Sequence, residues 1–259
     1  MTNHTPLIEF RNVTVKRDAK TVLDAITLSI DSGERVAVLG PNGSGKSSLI
    51  KTVTRECYPQ PGSSLRILGS DVWNLFDLRA MLGVVSNDLM QSCTRNYSGR
   101  EVVMSGFFGS IGVWPNHHVT PEIEARTAEV MRLMEVEHLA DRNVDEMSSG
   151  EARRVLIGRA LVHDPKALML DEPTTSLDFH AKHELRNILR KLAQAGIGIV
   201  MVTHNLTDII PEIGRVILLK KGRIFQDGPK AQVLTAGALS ELFGTPVEVV
   251  HRRQYYHIW

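Results

Sequence analysis

The run Gly40-Pro41-Asn42-Gly43-Ser44-Gly45-Lys46-Ser47 fits the pattern G-x-x-x-x-G-K-[ST]. Glycines at these spacings let backbone N–H groups converge on phosphate oxygens, and a helix that starts directly behind them adds the positive end of its dipole. Lys46 is placed to reach β- and γ-phosphate oxygens, and the candidate phosphate-binding run extends to Ser48. Further along, Ala167-Leu168-Met169-Leu170-Asp171-Glu172 is an apolar strand that ends in two carboxylates. Charges at the C-terminal edge of a parallel sheet project towards a ligand crevice. Asp171 can hold Mg²⁺ together with Ser47, which leaves Glu172 to position and polarise a water that attacks a γ-phosphoryl group, while Lys46 and the cation stabilise developing charge. Taken alone, a strand-end carboxylate pair is as often a solvated cap. Behind a phosphate loop it reads as the second half of a nucleotide site.

These residues need a scaffold, and the hydrophobic pattern supplies one. Residues 7–16 and 22–30 alternate apolar and polar positions, as half-buried strands of an antiparallel sheet do. Val36–Leu39 is a short apolar strand into the glycine loop, and Leu49, Ile50 and Val53 place a helix over 46–55. The cluster at 58–63 is a turn, and 65–68 and 82–85 read as strands. Between 88 and 147 the texture changes to glycines, aromatics and an amphipathic helix over 121–135. From 150 the order is helix (150–163), buried strand (167–171), helix (179–194), buried strand (197–203), the alternation of an α/β domain. Strands at 215–220 and 223–227 flank a tight turn at Lys221-Gly222, and a short helix spans 230–243. The expected fold class is α/β: one domain over 1–259 with a P-loop NTPase core and a mostly parallel sheet. Residues 1–87 and 148–259 form that core with an N-terminal antiparallel β subdomain, and 88–147 an inserted α-helical subdomain.

Composition sets the outer limits. The 259 residues carry 30 Lys plus Arg against 29 Asp plus Glu, a formal charge of +1, which gives no electrostatic case for a polyanion partner. At 42% hydrophobic and 23% charged, the chain is outside the disordered, collagen-like and coiled-coil classes. Its longest apolar runs fall far short of the roughly 18–20 residues that span a bilayer, and the N-terminus lacks the basic start and apolar run of a secretory leader, so a cytosolic location is expected. Cys57 and Cys93 are read as free thiols.

Three further motifs carry a family resemblance. Met147-Ser148-Ser149-Gly150-Glu151 resembles the LSGGQ signature of ABC ATPases, Ser176-Leu177-Asp178 resembles their D-loop, and His204 matches their switch histidine. With the phosphate loop and Asp171-Glu172 they occur in the family's order across residues 7–228. The resemblance implies a head-to-tail homodimer that sandwiches two ATP molecules with Mg²⁺, each held by the phosphate loop of one chain and the signature of the other. Ser148 and the Gly150 N–H would donate to the γ-phosphate in trans, with Ser149, Glu151 and Asp178 beside them. His204 would hold the γ-phosphate and orient Glu172, giving Glu172, His204 and Lys46 as the catalytic set. Without the family pattern His204 reads as a structural strand-end histidine.

The resemblance further implies the ATP-binding subunit of a transporter, energising a separate transmembrane permease, cytoplasmic and peripheral on the inner face of the cell membrane. The 88–147 subdomain, with Phe107, Phe108 and Trp114, would be the docking surface, and its aromatics are expected to be exposed. Val102–Gly109 is similar to importer ATPases of the metal, siderophore or molybdate kind. The runner-up is a stand-alone ABC ATPase in nucleic-acid repair or translation; nucleic acid is otherwise not an expected partner.

Four positions depart from the family pattern. Arg17 stands at the adenine-stacking aromatic and can stack through its guanidinium plane. Asn87 stands where a glutamine contacts Mg²⁺ and water; being one methylene shorter, it withdraws the amide by about 1.5 Å, so slower hydrolysis than in an Asn87→Gln variant is expected. Ser149 replaces a glycine and requires a negative φ or strain. Glu151 replaces a glutamine and puts a carboxylate near phosphate. Among the remaining polar residues, His117-His118 and the pair His180 and His183 read as surface histidines with a metal site as the alternative. Arg153-Arg154 reads as a solvated helix face. The tail 251–259 mixes basic and aromatic groups suited to nucleic acid or a protein partner.

Overall fold

The computed structural model describes residues 5–86, 88–89 and 96–259. The alternating N-terminal segments form a hairpin in which β1 (Ile8–Arg17) pairs antiparallel with β2 (Lys20–Ile30), with Phe10 opposite Leu28, Val13 opposite Ile26 and Val15 opposite Leu23. The next strand, β3 (Arg35–Leu39), leads into the glycine loop and α1 (Lys46–Val53), and β4 (Ser64–Ile67) returns to the free edge of β1. A helix absent from the sequence reading, α2 (Leu75–Met81), starts where the Asn74 side chain accepts the Phe76 N–H. It leads into β5 (Leu82–Val85).

The main sheet adds β6 (Ala167–Asp171), β7 (Gly198–Thr203), β8 (Arg215–Lys220) and β9 (Arg223–Pro229), in the spatial order β5-β6-β7-β3-β8-β9. Strands β5 to β8 are mutually parallel, and β9 returns antiparallel. β6 and β7 are buried along their whole length, which is why they read as unbroken apolar runs. The period of two still sorts their side chains between faces. Val36, Val38, Met169, Val200 and Val202 pack with Phe10, Leu28, Leu49 and Ile50 of the antiparallel sheet and α1. Ala37, Leu39, Leu168, Leu170, Ile199 and Met201 pack on the other face against helices. Each large aliphatic side chain so buried contributes about 1.5–3 kcal/mol of transfer free energy.

The helical face is built by α3 (Gly99–Met104), α4 (Pro121–Leu133), α5 (Ser149–Leu161) and α6 (Phe179–Gln194). Ser98 and Glu101 cap α3 reciprocally, and Thr120 with Pro121 starts α4. A Cβ on Gly158 of α5 would touch Val103 of α3, Val130 of α4 and Met134 at the C-terminal cap of α4, each at 3.4 Å, so the three helices meet at this glycine. The division expected at residue 147 thus lies just ahead of a helix that packs on both subdomain helices.

Several expectations need correction. Arg153 and Arg154 are buried: α5 is covered on its polar side by α6 and by the loop after β6, where Arg153 donates to the Thr175 carbonyl (3.5 Å) and Arg154 lies 3.8 Å from Glu184. The helix over 230–243 is two, α7 (Lys230–Val233) and α8 (Ala236–Phe243), because the Thr235 side chain accepts the Ala238 N–H and caps a new start. The tail folds into a hairpin of β10 (Val249–Arg252) and β11 (Tyr255–Ile258), turned by Arg253 and Gln254 at φ +50° and +69°. Of its aromatics, Tyr256 is buried in the helical core and Tyr255 lies under the Arg186 guanidinium, while Trp259 is exposed. Of the subdomain aromatics only Trp114 is exposed; Phe107 packs edge-on to His163 and Phe108 stacks on His117. Among the described residues, no helix is long and apolar enough to cross a membrane.

Candidate active site

From Leu39 the chain turns through Gly40–Gly45 into α1, clamped between β8 and β2. Gly45 has φ +107°, and a Cβ there would lie 2.6 Å from the Val22 carbonyl; a Cβ on Gly40 would lie 2.3 Å from the Leu219 carbonyl. The turn between β8 and β9 braces the loop from outside: the Gly222 N–H donates to the Ser44 carbonyl (2.8 Å), and the Gly222 carbonyl accepts the Asp24 N–H (2.9 Å). The Ser44 hydroxyl is buried without a hydrogen-bond partner among the described residues, as suits a group facing a phosphate oxygen.

Lys46 is buried and folds back over the loop, donating to the carbonyls of Gly40 (2.9 Å) and Pro41 (3.1 Å), with Nζ 3.5 Å from Glu172 Oε1. The Ser47 hydroxyl donates to Asp171 Oδ1 (3.0 Å), which joins the two residues expected to share a cation. Burial pushes the Asp171 carboxyl above its ordinary range, against the Ser47 hydrogen bond. A buried carboxylate beside a hydroxyl fits the hard oxygen donor set that Mg²⁺ takes.

Glu172 sits in the left-handed region at φ +48°, a conformation that costs a non-glycine residue of order 1–3 kcal/mol and is held by the sheet through Glu172 N–H to the Val202 carbonyl (2.9 Å). Its Oε1 is 3.0 Å from His204 Nδ1, and its Oε2 accepts the Thr175 hydroxyl (3.3 Å). Burial pushes this carboxyl up, but His204, Lys46 and Thr175 together outweigh it and hold Glu172 below the ordinary glutamate range. Lys46, Ser47 and Glu172 open onto one cavity of about 760 Å³, a size suited to a nucleotide.

The same cavity is lined by Lys20, Thr21, Val22, Lys221 and Gly222, which the sequence reading left out. The Lys221-Gly222 turn was visible; its seat against the phosphate loop is a tertiary contact with no local signal. Arg17 is not brought into the cavity. β2, not β1, is the strand beside the loop, and Arg17 lines a separate groove with Lys16, Lys51, Cys57 and Tyr58. Asn87 lies outside the described residues.

The signature residues lie elsewhere. Ser148 caps α5, its N–H and hydroxyl both donating to Glu151 Oε2 (2.8 Å each) while its Oγ accepts the Glu151 N–H (3.3 Å). The Ser148 N–H, then its hydroxyl, hold the Glu151 carboxyl below its ordinary range. Ser149 is the first helical residue at negative φ, so no strain replaces the usual glycine. Gly150 allows α5 to approach α6, since a Cβ would lie 2.7 Å from Ala181 Cβ. Asp178 caps α6 through the Ala181 N–H (2.8 Å). Ser148–Glu151 and Asp178 line a groove of about 470 Å³ that shares no lining residue with the first cavity.

The family model described as ABC transporter matches residues 23–175, from the strand beside the phosphate loop to just past Glu172. The chain belongs to the ABC transporter ATP-binding family. An uncharacterised ABC transporter ATP-binding protein of Bacillus subtilis, YlmA, is 33% identical over 251 residues, covering 94% of this chain and 93% of that one. The hemin import ATP-binding protein HmuV of Photobacterium damselae is 34% identical over 255 residues, covering 96% and 93%. Among solved structures, the dimeric post-hydrolysis ATP-binding cassette MJ0796 bound to ADP and Pi superposes with a TM-score of 0.70 at 25% identity, covering 86% of this chain and 98% of that one. This ABC ATPase is therefore an ATP-binding, ATP-hydrolysing transporter subunit with an α/β P-loop fold.

Proposed function

We propose that two copies of this chain close head to tail on two ATP molecules, and that closure and reopening work a separate membrane-spanning permease. One observation carries the reading: the phosphate loop and Glu172 line one cavity, with Asp171 bonded to Ser47 and His204 to Glu172 behind it, while Ser148–Glu151 and Asp178 line another with no residue in common. A single chain thus holds two halves of a site, and a symmetric pair of chains completes both. The dimeric relative with ADP and Pi supports this arrangement.

In each completed site the loop N–H groups and Lys46 hold the β- and γ-phosphates, with Ser148 and the Gly150 N–H donating to the γ-phosphate from the facing copy. Mg²⁺, which would be held by Ser47 and Asp171, supplies charge neutralisation on the phosphate oxygens. Glu172, kept ionised by His204, orients and polarises the attacking water, and His204 bridges that carboxylate to the γ-phosphate. For the solute we favour a metal-bearing compound taken up through the permease; the support is the similarity to a hemin import protein along nearly the whole chain.

The test is purification of tagged Glu172→Gln chain from native membranes in ATP and Mg²⁺, with its companions identified by mass spectrometry. A stoichiometric polytopic membrane protein is expected. Recovery of ribosomes or nucleic acid in its place would overturn the transport assignment.

A further inference from the structure

Asp208 closes the single turn Leu206–Asp208 that follows His204, is 2% exposed, and has no part in the chemistry above. Its Oδ2 accepts the Thr203 hydroxyl at 2.7 Å, and that hydroxyl accepts the Asn205 N–H at 3.0 Å. The Asp208 N–H in turn donates to the Asn205 carbonyl at 3.2 Å. The residues on both sides of His204 are thus tied to one hydroxyl, and the hydroxyl to one carboxyl. The Thr174 hydroxyl, two residues beyond Glu172, also faces this carboxyl, so the same side chain touches the segments that carry both members of the Glu172–His204 pair.

His204 itself is far less constrained. Its side chain is 45% exposed, and its contact with Glu172 is a single 3.0 Å approach. An imidazole in that position takes its direction from the backbone that bears it. The backbone turn is held from outside as well: Arg186 donates to the carbonyls of Lys182 and Thr207 (3.1 Å each), and its guanidinium lies 5.6 Å from the ring of Tyr255 in the C-terminal hairpin. Burial raises the Asp208 carboxyl above its ordinary range, against Thr203, Thr174, Arg186 and Lys182; either protonation state leaves an oxygen to accept from Thr203.

We infer that Asp208 is a positioning residue: through the Thr203 hydroxyl it fixes the backbone at His204 and hence the aim of the imidazole at Glu172, with the C-terminal hairpin steadying the same turn through Arg186. The inference rests on the reading of Glu172 and His204 as the reacting pair. Misplacement of a reacting group by about 1 Å can cost as much as 10²-fold in rate.

The experiment is steady-state ATP hydrolysis, ATP affinity and thermal melting of the full chain carrying Asp208→Ala, Thr203→Val or Asp208→Asn, each alone and combined with His204→Ala. Asp208→Ala and Thr203→Val are expected to lower kcat by about tenfold or more with ATP affinity held within about twofold. Asp208→Asn keeps an oxygen acceptor for Thr203 and retains most of kcat. In the His204→Ala background the same substitutions cause no further loss, because the group they position is gone. Parent kcat in both Asp208→Ala and Thr203→Val overturns the inference, as does an equal loss with and without His204, which marks a merely structural effect. His204→Ala turning over at the parent rate overturns the underlying catalytic reading instead.

Discussion

Glu172 combines a left-handed backbone, an ionised carboxylate and a contact with His204 at the mouth of the nucleotide cavity. Glu172→Gln keeps the shape and removes the base, so turnover should fall by about 10²–10⁴-fold with ATP affinity little changed. Parent turnover in that variant would assign the base elsewhere. Lys46→Ala removes the buried ammonium beside the phosphate loop and should weaken ATP binding by about tenfold or more, read by titration calorimetry. At Asn87 the shorter amide leads to the expectation that Asn87→Gln hydrolyses faster, and equal or lower turnover would remove that idea. The loop and the carboxylate pair were legible because each is a short run whose chemistry is carried by neighbours in sequence, whereas the signature and His204 were read only through the family resemblance. Arg17, Lys20 and Lys221 were not, because which strand lies against the loop is decided by packing.

At the scale of elements, the turn at Lys221-Gly222 ties the edge of the main sheet to the phosphate loop. Gly222 is at φ +79°, and a Cβ there would lie 2.8 Å from the Val22 carbonyl. Gly222→Ala should cost of order 1–3 kcal/mol in denaturant unfolding and weaken ATP binding with it. Unchanged affinity would separate the turn from the loop.

Helix α6 offers a pH test remote from the nucleotide. Arg190 Nε donates to both oxygens of Glu212 (2.9 and 3.1 Å), and Gln194 donates to one (2.9 Å). Burial pushes the Glu212 carboxyl up, but these bonds outweigh it and leave it below its ordinary range. A carboxyl depressed on folding stabilises the protein above its unfolded pKa of about 4.3 and loses that contribution as pH falls through the lower folded value. Arg190→Ala should therefore melt lower at pH 7, by the equivalent of about 0.5–1 kcal/mol, with the gap from the parent closing in acid. A gap that is constant with pH would contradict the ion-pair account. The strands were legible from their period of two and from their apolar runs; the C-terminal hairpin was hidden because Arg253 and Gln254 make its turn without the glycine or asparagine that usually marks one. The burial of Arg153 and Arg154 was hidden for a related reason, since only the placement of α6 covers that face of α5.

For the whole molecule, the decisive feature is the separation of the two cavities. The sheet carries the phosphate loop, Asp171, Glu172 and His204 at one set of strand ends, and α5 with α6 carries Ser148, Gly150 and Asp178 at helix starts facing another groove. The most direct test is the mass of the Glu172→Gln chain by light scattering with saturating ATP and Mg²⁺. The mass is expected to double from 28.8 kDa in ATP but not in ADP, and adding Ser148→Arg is expected to prevent the doubling while ATP still binds. A chain that binds ATP and remains at 28.8 kDa, or one that doubles equally well with Ser148→Arg, would contradict the shared site.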